Sequence, residues 1–305
     1  MPTLLIIDAP AVLHRAWHAL PKLTDPHGRV INAVYGFMNL FLKLLKEQKP
    51  DYIAIAFDTA APTFRHKLYK DYKATRTPQP QIFYDQIPIV KTILHSSGIL
   101  TFEKDGFEAD DIIGSLNRDL KSQNSNLKSV IVSGDQDLFQ LIDDQSVIYY
   151  LPLCLSKLKI YDKNSVRQHF GVNPKNLIDL KALTGDASDN IPGAKSVGLQ
   201  TAINIIKQFN DIESMYKHIE GCRQGEKCFI KETLINILIE HKSEIFFGKK
   251  LVTIKDDIKN LTDLNDCAIK KLDQEKLKKS LKNLGFTSLV NRLEKADNHK
   301  QSKLF

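Results

Sequence analysis

The sequence predicts an α/β fold, with an open, mostly parallel sheet flanked by helices and a helical region after it. Three observations lead to this prediction. Short apolar runs of strand length alternate with amphipathic stretches of helical period, as in open parallel sheets. The strand pattern fades after Tyr161. Hydrophobic residues make up 42% and charged residues 26% of the 305 residues, which suits a packed core and excludes a disordered or fibrous chain.

Five aliphatic or β-branched runs are predicted to be strands. Most of them are apolar nearly throughout, which is typical of strands buried on both faces of a parallel sheet. The longest is far shorter than the roughly 18 apolar residues that a membrane span requires. The five runs are Thr3–Asp8, Tyr52–Asp58, Ile99–Phe102, Ser129–Ser133 and Ser146–Leu151.

Helices are predicted between these strands and throughout the second part of the chain. An apolar stripe from Val34 to Leu45 has the helical period, a second helix is expected from Tyr84 to His95, and a third begins near Glu108. We therefore divide the chain into an α/β domain at 1–165 with an insertion at about 59–84, a helical region at 166–296 and a flexible tail at 297–305.

The insertion is irregular and basic. From Phe64 to Arg76 it has five basic residues against one aspartate. A connection of this length inside a compact domain is typically functional, disordered or a lid. A second basic cluster lies between Lys270 and Lys303, and the chain has a formal net charge of +7. Such clusters attract nucleic acid, although a solvated lysine face would have the same composition.

Acidic residues fall at the ends of the predicted strands and at the start of one helix. Because the carboxyl ends of parallel strands meet at one edge, where α/β sheets bind ligands, we expect these carboxylates to share one crevice. Two further acids follow in the helical region. The nine are Asp8, Asp58, Glu108, Asp110, Asp111, Asp135, Asp137, Asp186 and Asp189.

A set of crowded carboxylates needs cations among them, because like charges repel. Oxygen ligands in this number favour Mg²⁺ or Mn²⁺ over zinc. We therefore expect two or more ions, an arrangement that suits displacement at phosphorus. Each acid taken alone could instead cap a helix or complement its dipole. The convergence of four strand-to-helix junctions on one edge favours the metal site.

Residues close to the acids are predicted to hold a phosphate backbone. Lys73 and Arg76 follow Asp58 along the insertion and are placed to bind the scissile phosphate and its developing charge. Tyr72 is expected to stack on a base. The segment Gly193–Gly198 predicts a tight turn, after which the N–H groups of a helix bind phosphate; two glycines would also suit an ordinary helix hairpin.

Several co-linear motifs together carry a family resemblance. The motifs are Ala33–Phe37, Phe57-Asp58 with Phe64–His66, Tyr72–Arg76, Gly106–Asp111, Gly134–Leu138, Leu183–Asp186 and Asn190–Gly193. Over roughly Leu4 to Leu293, the chain resembles the 5′-nuclease domain of bacterial DNA polymerase I and the wider flap-endonuclease family. The resemblance implies a sheet of the PIN or flap-nuclease type, a helical arch over the insertion and a C-terminal helix-three-turn-helix.

The resemblance also implies roles for individual residues. One metal cluster is expected around Asp8, Asp58, Glu108, Asp110 and Asp111, and the other around Asp135, Asp137, Asp186 and Asp189. The catalytic group is expected to be Lys73, Arg76, Asp8 and Asp58, with the two basic residues at the foot of the arch. The expected DNA contacts are Arg15, Arg65, Tyr72, Gly193, Lys195, Ser196 and Gly198, with K⁺ bound at the glycine turn.

The chain departs from the family pattern at three places. Ala9 follows the first aspartate where glycine is common, and Gln136 stands where a basic residue is usual. Ser196–Gln200 replaces the more usual Gly-Ile-Gly-x-Lys and so removes one cation from the turn. These changes bear on affinity rather than on chemistry, because all nine acids are retained.

The sequence therefore predicts a metal-dependent 5′→3′ exonuclease and structure-specific flap endonuclease that acts on DNA in repair and in replication, including Okazaki primer removal. The expected partners are DNA with 5′ flaps, ends or nicks, RNA primers on DNA, and a DNA polymerase. The polymerase and proofreading regions are absent from this sequence, so it is expected to be either a free-standing nuclease or an excised domain. We expect a monomer without membrane contact in the bacterial cytoplasm, at the nucleoid. The segment Gln301–Phe305 resembles the Q-x-x-L-F peptides that bind the sliding clamp, and a frayed tail is the alternative.

Two other function classes are weighed against this one. A non-catalytic module that recognises branched DNA would gain nothing from clustered negative charge. A haloacid-dehalogenase-type phosphatase also places an aspartate at the end of its first strand but requires D-x-D, whereas the chain has Asp8-Ala9-Pro10. A nucleotide-binding Rossmann protein is less compatible still, because no G-x-G-x-x-G follows the first strand.

Overall fold

The fold is that of a computed structural model, which describes residues 1–152 and 158–301. Over these residues the strands form one six-stranded sheet in the order β3-β2-β1-β4-β5-β6. The first five strands are parallel, and β6 pairs antiparallel with β5. The strands are β1 Thr3–Asp8, β2 Tyr52–Ala56, β3 Thr101–Phe102, β4 Lys128–Ser133, β5 Ser146–Tyr150 and β6 Lys159–Tyr161.

The predicted α/β class with a mostly parallel sheet is confirmed, and the strand order places the site. From β1 the chain runs to β2 and β3 on one side, and the connection after β3 then crosses back to β4 on the other side of β1. This reversal opens a crevice beyond the carboxyl ends of β1 and β4, where open α/β sheets bind ligands. The edge strand β6 was not predicted, since it is only three residues long and begins with a lysine.

Helices cover both faces of the sheet. Successive residues of β1 point to opposite faces, and Leu4 and Ile6 pack in one core while Leu5 and Ile7 pack in the other. The burial on both faces explains why the strand is apolar throughout. In the first part of the chain the helices are α1 Ala9–Ala19, α2 Asn32–Gln48, α3 Phe64–Leu68, α4 Gln81–Tyr84, α5 Ile87–Ser96 and α6 Ala109–Gln123.

The second part of the chain is helical, as predicted. Its helices are α7 Lys163–Phe170, α8 Leu177–Thr184, α9 Leu199–Phe209, α10 Ile212–Arg223, α11 Glu232–Glu240, α12 Lys242–Val252, α13 Gln274–Asn283 and α14 Thr287–Gln301. None of the helices in the described ranges is both long and apolar enough to span a bilayer.

Three local predictions differ from the structure. The helix predicted from Tyr84 to His95 is two helices, because the chain turns at Asp85–Gln86 and Pro88 lies in the first turn of α5. The insertion has α3 as its longest helix, with five residues, rather than an extended arch. The predicted tail at 297–305 starts inside α14, which continues to Gln301 because no glycine or proline interrupts it. Residues 302–305 lie outside the described residues.

Candidate functional site

Two aspartates that follow central strands lie at the carboxyl edge of the sheet and are held there by backbone amides. Asp8 ends β1 and is the N-cap of α1, where it accepts hydrogen bonds from the amide of Ala11 (3.1 Å) and the hydroxyl of Ser133 (2.5 Å). Asp58 follows β2 and accepts a hydrogen bond from the Ala109 amide at the start of α6 (2.7 Å). This hydrogen bond joins the segment after β2 to the first residue of α6.

Asp110 and Asp135 face the first two aspartates. Asp110 lies in the first turn of α6, and within the described residues no donor contacts its carboxylate, although burial removes much of its hydration. Asp135 follows β4, and one of its oxygens accepts a hydrogen bond from the Asp137 amide (2.8 Å). Asp8 and Asp135 act electrostatically on Asp110. We call Asp8, Asp58, Asp110 and Asp135 the acidic crevice.

Burial and neighbouring negative charges raise the pKa values of carboxylates in the acidic crevice. Burial raises the pKa of Asp8 to about 7, and the charges of Asp58 and Asp135 add to this, although the hydrogen bonds from Ser133 and Ala11 oppose it. Asp58 is open to solvent on one side, yet the protein around it removes enough hydration to raise its pKa. Burial, followed by the charges of Asp135 and Asp8, raises the pKa of Asp110 well above its usual range. Among the described residues, the charges of Lys73 and Arg76 oppose the shift of Asp58, and the charge of Lys73 opposes that of Asp110, but they do not cancel either shift.

This donor set fits divalent metal ions. Its ligands are all carboxylate oxygens, which hard cations such as Mg²⁺ and Mn²⁺ prefer. Within the described part of the chain, the Asp110 carboxylate is held close to like charges without a donor of its own, and a cation in the crevice would relieve this repulsion. The acidic crevice draws Asp135 together with Asp8, Asp58 and Asp110, whereas the predicted clusters separated it from them.

The metal-free protein is expected to lose stability as the pH rises from about 4 to about 7. The pKa of Asp8 is about 7 in the folded chain against 3.8 ordinarily, so the folded state binds a proton that the unfolded state has released, and the free energy of unfolding falls across this interval. Mg²⁺ binds ionised carboxylates, so we expect it to raise Tm more at pH 8 than at pH 5.

Thermal unfolding in EDTA and in Mg²⁺ across this pH range measures both effects. Asp8→Asn is the matched variant, because asparagine still caps α1 but does not titrate. It should flatten the pH dependence of Tm in EDTA. An equal slope in the wild type and in Asp8→Asn would contradict the role assigned to Asp8.

Two other acids of the predicted set form ion pairs with the insertion. The Nζ of Lys73 lies 2.8 Å from Glu108 Oε1 and 3.8 Å from Asp189 Oδ2, and the guanidinium of Arg76 lies 2.5 Å from Asp189 Oδ1. The amide of Lys73 also donates to the Asp189 carbonyl (2.9 Å). The side chains of Lys73 and Arg76 therefore lie at the rim of the crevice, in ion pairs with Glu108 and Asp189.

A lysine that the sequence analysis did not single out forms ion pairs with two more of the predicted acids. Lys181, on α8, forms ion pairs with Asp137 and with Asp186, the latter at 2.6 Å. Burial alone would lower the pKa of Lys181, but the two carboxylates outweigh it and raise the pKa. Burial raises the pKa of Asp137 to about 6, although Lys181 opposes the shift. Asp186 lies five residues after Lys181 and beyond the end of α8, so no helical spacing in the sequence indicates this ion pair.

Asp111 and Arg65 do not occupy the positions that the sequence analysis gave them. They form a buried bidentate salt bridge, with Arg65 Nη1 2.7 Å from Asp111 Oδ2 and Nη2 2.8 Å from Oδ1. Asp111 is 0% exposed and Arg65 3% exposed. The amides of Glu108 and Lys255 also donate to Asp111. The structure therefore removes Asp111 from the open metal ligands and Arg65 from the surface that DNA can reach.

Tyr72 is also buried rather than free to stack on a base. Its side chain is 4% exposed, and its hydroxyl lies 3.1 Å from Glu108 Oε2 and 3.0 Å from Asp189 Oδ2. Burial, followed by these two charges, raises the pKa of Tyr72, so the phenol stays protonated. Tyr72 therefore fixes the insertion to Glu108 and Asp189, and the expected stacking contact is wrong for this structure.

The other predicted DNA contacts lie at the surface or close to the crevice. Arg15 is half-buried and packs over Gly134, whose added Cβ would lie 3.1 Å from the Arg15 Nε. In the glycine turn, Lys195, Ser196 and Gly198 are exposed, and Gly198 is the N-cap of α9. Gly193 differs, because an added Cβ would lie 2.2 Å from the Gly185 amide nitrogen. Its absent side chain therefore permits close packing of two backbone segments within the protein.

Two family models match consecutive parts of this chain. A family model described as 5′-3′ exonuclease, N-terminal resolvase-like domain, matches residues 3–171. A second, described as 5′-3′ exonuclease, C-terminal SAM fold, matches residues 172–275. The two matches meet between α7 and the helix α8 that supplies Lys181.

Curated relatives match over nearly the full chain. The 5′-3′ exonuclease of Aquifex aeolicus is 36% identical over 295 residues, which cover 97% of this chain and 96% of that protein. The DNA polymerase I of Caldicellulosiruptor bescii is 37% identical over 292 residues, which cover 95% of this chain and 33% of that protein. This chain spans about a third of the length of the polymerases that it matches.

Solved structures agree in fold. A bacteriophage T5 flap endonuclease, determined as a pseudo-enzyme-product complex with DNA and metal ions, superimposes with a TM-score of 0.67 at 19% identity, covering 95% of this chain and 99% of that one. The catalytic core of Rad2, determined with a DNA substrate, gives a TM-score of 0.58 at 16% identity and covers 96% and 92%. The fold is therefore shared over nearly the whole of each chain.

Proposed function

We propose, because this chain belongs to the 5′-3′ exonuclease family, that it hydrolyses phosphodiester bonds of DNA at 5′ ends, nicks and flaps. The observation that carries the proposal is the acidic crevice beside the basic rim formed by Lys73 and Arg76. In this crevice Asp110 lies among other carboxylates, and no donor from residues 1–152 or 158–301 contacts it. A binding module has no use for uncompensated carboxylates next to a polyanion, because they repel it.

Asp8, Asp58, Asp110 and Asp135 would hold the divalent ions of this enzyme. When bound, such ions supply Lewis-acid polarisation of the phosphate and activation of water. The protein prepares this set before the ions bind. The Ser133 hydroxyl and the Ala11 amide orient Asp8, and the Ala109 amide orients Asp58. These three donors leave the carboxylates little freedom to turn away from the crevice.

The basic rim would orient the scissile phosphate. Lys73 and Arg76 lie on the side of the crevice formed by Glu108 and Asp189, so a phosphate above the acids meets positive charge from that side. The buried Tyr72 and the amide of Lys73 fix this part of the insertion to Asp189. Preorganised cations of this kind stabilise charge that develops on phosphate oxygens in the transition state.

A 5′-labelled flap substrate, incubated with and without Mg²⁺ and analysed for product length, tests the function. We expect cleavage only with the metal, with short products from 5′ ends and one longer product from the flap junction. Tight flap binding without cleavage in Mg²⁺ or Mn²⁺ would favour the non-catalytic branched-DNA module. Release of inorganic phosphate from a small phosphomonoester, without cleavage of DNA, would favour the phosphatase.

Lys73→Ala is expected to lower kcat for flap cleavage by about 100- to 1,000-fold, because it removes a positioned charge from the transition state. The Kd for duplex DNA should change little, because the ion pair with Glu108 keeps Lys73 off the outer surface. Single-turnover cleavage and equilibrium binding measure the two effects. Lys70→Ala, an exposed lysine of the same insertion, is the matched control and should keep kcat within about threefold of wild type. Equal losses in both variants would show that only general charge matters.

The remaining partners and cofactors are proposals of the same kind. Mg²⁺ or Mn²⁺ suits the carboxylate ligands, and the exposed turn at Lys195, Ser196 and Gly198 suits duplex backbone with K⁺. We further propose a monomer at the bacterial nucleoid, working with a DNA polymerase and accepting RNA primers on DNA. The relatives that are polymerases support the partner.

Deletion of Gln301–Phe305 is expected to abolish binding to a bacterial sliding clamp while flap cleavage stays within about twofold of wild type. The reason is that the Q-x-x-L-F pattern offers two apolar anchors, and truncation of such anchors removes most of the affinity of a small interface. Surface plasmon resonance on immobilised clamp measures the effect. Unchanged clamp affinity in the deletion variant would refute the proposed clamp contact.

A further inference from the structure

A cluster of two cysteines and one histidine lies in the helical region, on α10 and the loop after it. His218 and Cys222 are four residues apart on α10 and so share one face of the helix. Cys228 returns from the following loop, with its Cα 5.1 Å from that of Cys222, and the two form a disulfide in this structure. One ring nitrogen of His218 and the two Sγ atoms all lie within 4.8 Å of one another.

The backbone brings Cys228 to the helix. The amides of Gln224 and Glu226 donate to the Gly221 carbonyl, at 2.9 and 3.0 Å, and the amide of Gly225 donates to the Cys222 carbonyl at 3.2 Å. These bonds fold the chain back across the end of α10. The side chains of His218 and Cys222 are half-buried and that of Cys228 is exposed, so solutes can reach the cluster.

The imidazole of His218 is held in a form that can bind a metal. The amide of Phe229 donates to its Nε2 (3.2 Å), so this nitrogen carries a lone pair and the proton is on Nδ1. The rings of Phe209 and Phe229 pack against the imidazole with centroids at 5.0 and 5.4 Å. The same Nε2 lies 3.4 Å from the Cys222 Sγ. Because its lone pair accepts from the Phe229 amide, a metal bound at Nε2 would replace that hydrogen bond.

We propose that His218, Cys222 and Cys228, once the disulfide is reduced, form a binding site for one divalent cation of the zinc class. Zinc–sulfur bonds of about 2.3 Å and zinc–nitrogen bonds of about 2.0 Å place neighbouring ligand atoms of a tetrahedral site roughly 3.6 Å apart. The separation of the His218 and Cys222 ligand atoms, 3.4 Å, already matches this value. The fourth position stays open to water.

The soft ligands separate this site from the acidic crevice. Thiolate sulfur and imidazole nitrogen select zinc-class ions, whereas the crevice presents only carboxylates, which favour Mg²⁺ and Mn²⁺. Metal binding and the disulfide exclude each other. A dithiol reductant gives two electrons and two protons to the disulfide and is itself oxidised to a disulfide, and the cation then displaces one proton from each cysteine thiol.

Cobalt titration of the reduced full chain tests the site. Co²⁺ bound by two thiolates in a tetrahedral site gives a thiolate-to-cobalt charge-transfer band and intense visible bands, whereas Co²⁺ in a carboxylate site gives neither. We expect the charge-transfer band to saturate at one equivalent of the site and to be lost on addition of Zn²⁺. The readout involves no nucleic acid, so it fails or succeeds independently of nuclease activity.

Cys222→Ser and Cys228→Ser should each lose the band, and Cys267→Ala, which changes a cysteine outside the cluster, should retain it. Circular dichroism of each variant without metal checks that it is folded. A second test uses the wild type alone. The reduced chain is treated with iodoacetamide with and without Zn²⁺, and we expect Zn²⁺ to protect Cys222 and Cys228 against alkylation. The proposal is overturned if the reduced wild type gives no charge-transfer band at excess Co²⁺, or if the double variant Cys222→Ser/Cys228→Ser keeps the band.

Discussion

Asp110→Asn is expected to reduce cleavage of a 5′-flap substrate at limiting Mg²⁺ by about 100-fold or more. Loss of even a residue that supports a metal ligand typically costs about 10- to 100-fold in affinity or activity, and a ligand itself costs more. Asp110 has no donor in the described structure, so its charge has no structural use there except to attract a cation. Initial rates across a Mg²⁺ titration measure the loss, and a shift of the curve to higher Mg²⁺ identifies weakened metal binding.

The same substitution should stabilise the metal-free protein. Burial and the charges of Asp135 and Asp8 raise the pKa of Asp110, so the ionised carboxylate opposes folding at pH 8 and its neutral amide does not. Tm in EDTA at pH 8 should therefore be higher in Asp110→Asn than in the wild type, and the increase on addition of Mg²⁺ should be smaller. This combination cannot arise from misfolding, which lowers both activity and stability.

Asp105→Asn is the matched control for Asp110→Asn. It makes the same change of charge at an exposed position five residues earlier. Its rate and its Tm should stay near those of the wild type. Asp110 would lose its assigned role if its asparagine variant retained full cleavage at limiting Mg²⁺ or if the metal-free variant were less stable than the wild type.

The acidic crevice could be predicted from the sequence because parallel strands deliver their last residues to one edge. This inference required only the approximate positions of the strands that precede Asp8, Asp58 and Asp135. Errors of one or two residues in the strand ends do not change it. Asp58, for example, lies two residues beyond β2 although the prediction placed it within the strand. An acid that directly follows an apolar strand is placed at this edge by the topology of the sheet, whichever way its side chain points.

Side-chain direction is what the sequence did not provide. Asp110 and Asp111 are neighbours in α6, but one faces the crevice and the other is turned by about 100° into the protein, towards the segment after α12. That segment lies 144 residues further along the chain, and no local pattern announces the contact. Arg65 and Tyr72 were assigned to DNA for the same reason, since an irregular insertion has no period from which burial can be inferred.

The start of helix α1 is marked in the sequence by an aspartate followed two residues later by proline. In the family comparison, Asp8-Ala9-Pro10 is only a departure from the usual glycine. In the structure Asp8 caps the helix and Pro10 lies in its first turn, where a missing N–H costs nothing. With Ala9 and Pro10 after the aspartate, helix α1 starts directly at the end of β1. Asp8 therefore serves both as the N-cap of the helix and as part of the acidic crevice.

Arg65→Met is expected to lower the free energy of unfolding by about 3 to 5 kcal/mol, the usual cost of removing one partner of a buried ion pair. Arg65 joins three separate parts of the chain. Its guanidinium donates to both oxygens of Asp111, to the Leu251 carbonyl (2.8 Å) and to the Thr253 carbonyl (3.0 Å). Without it, the Asp111 carboxylate stays buried with only backbone amides as donors. Urea unfolding followed by circular dichroism measures the loss.

Two further variants separate this role from general effects of charge. The double variant Arg65→Met/Asp111→Asn should recover about 1 to 3 kcal/mol relative to Arg65→Met, because the unpaired charge is gone. Arg118→Met breaks an ion pair with Asp256 in which both side chains are about half exposed, and it should cost less than about 1 kcal/mol. If Arg65→Met instead unfolds like the wild type and weakens DNA binding with a smaller dependence on salt, Arg65 contacts the phosphate backbone as the sequence first indicated, and the buried pair does not form in solution.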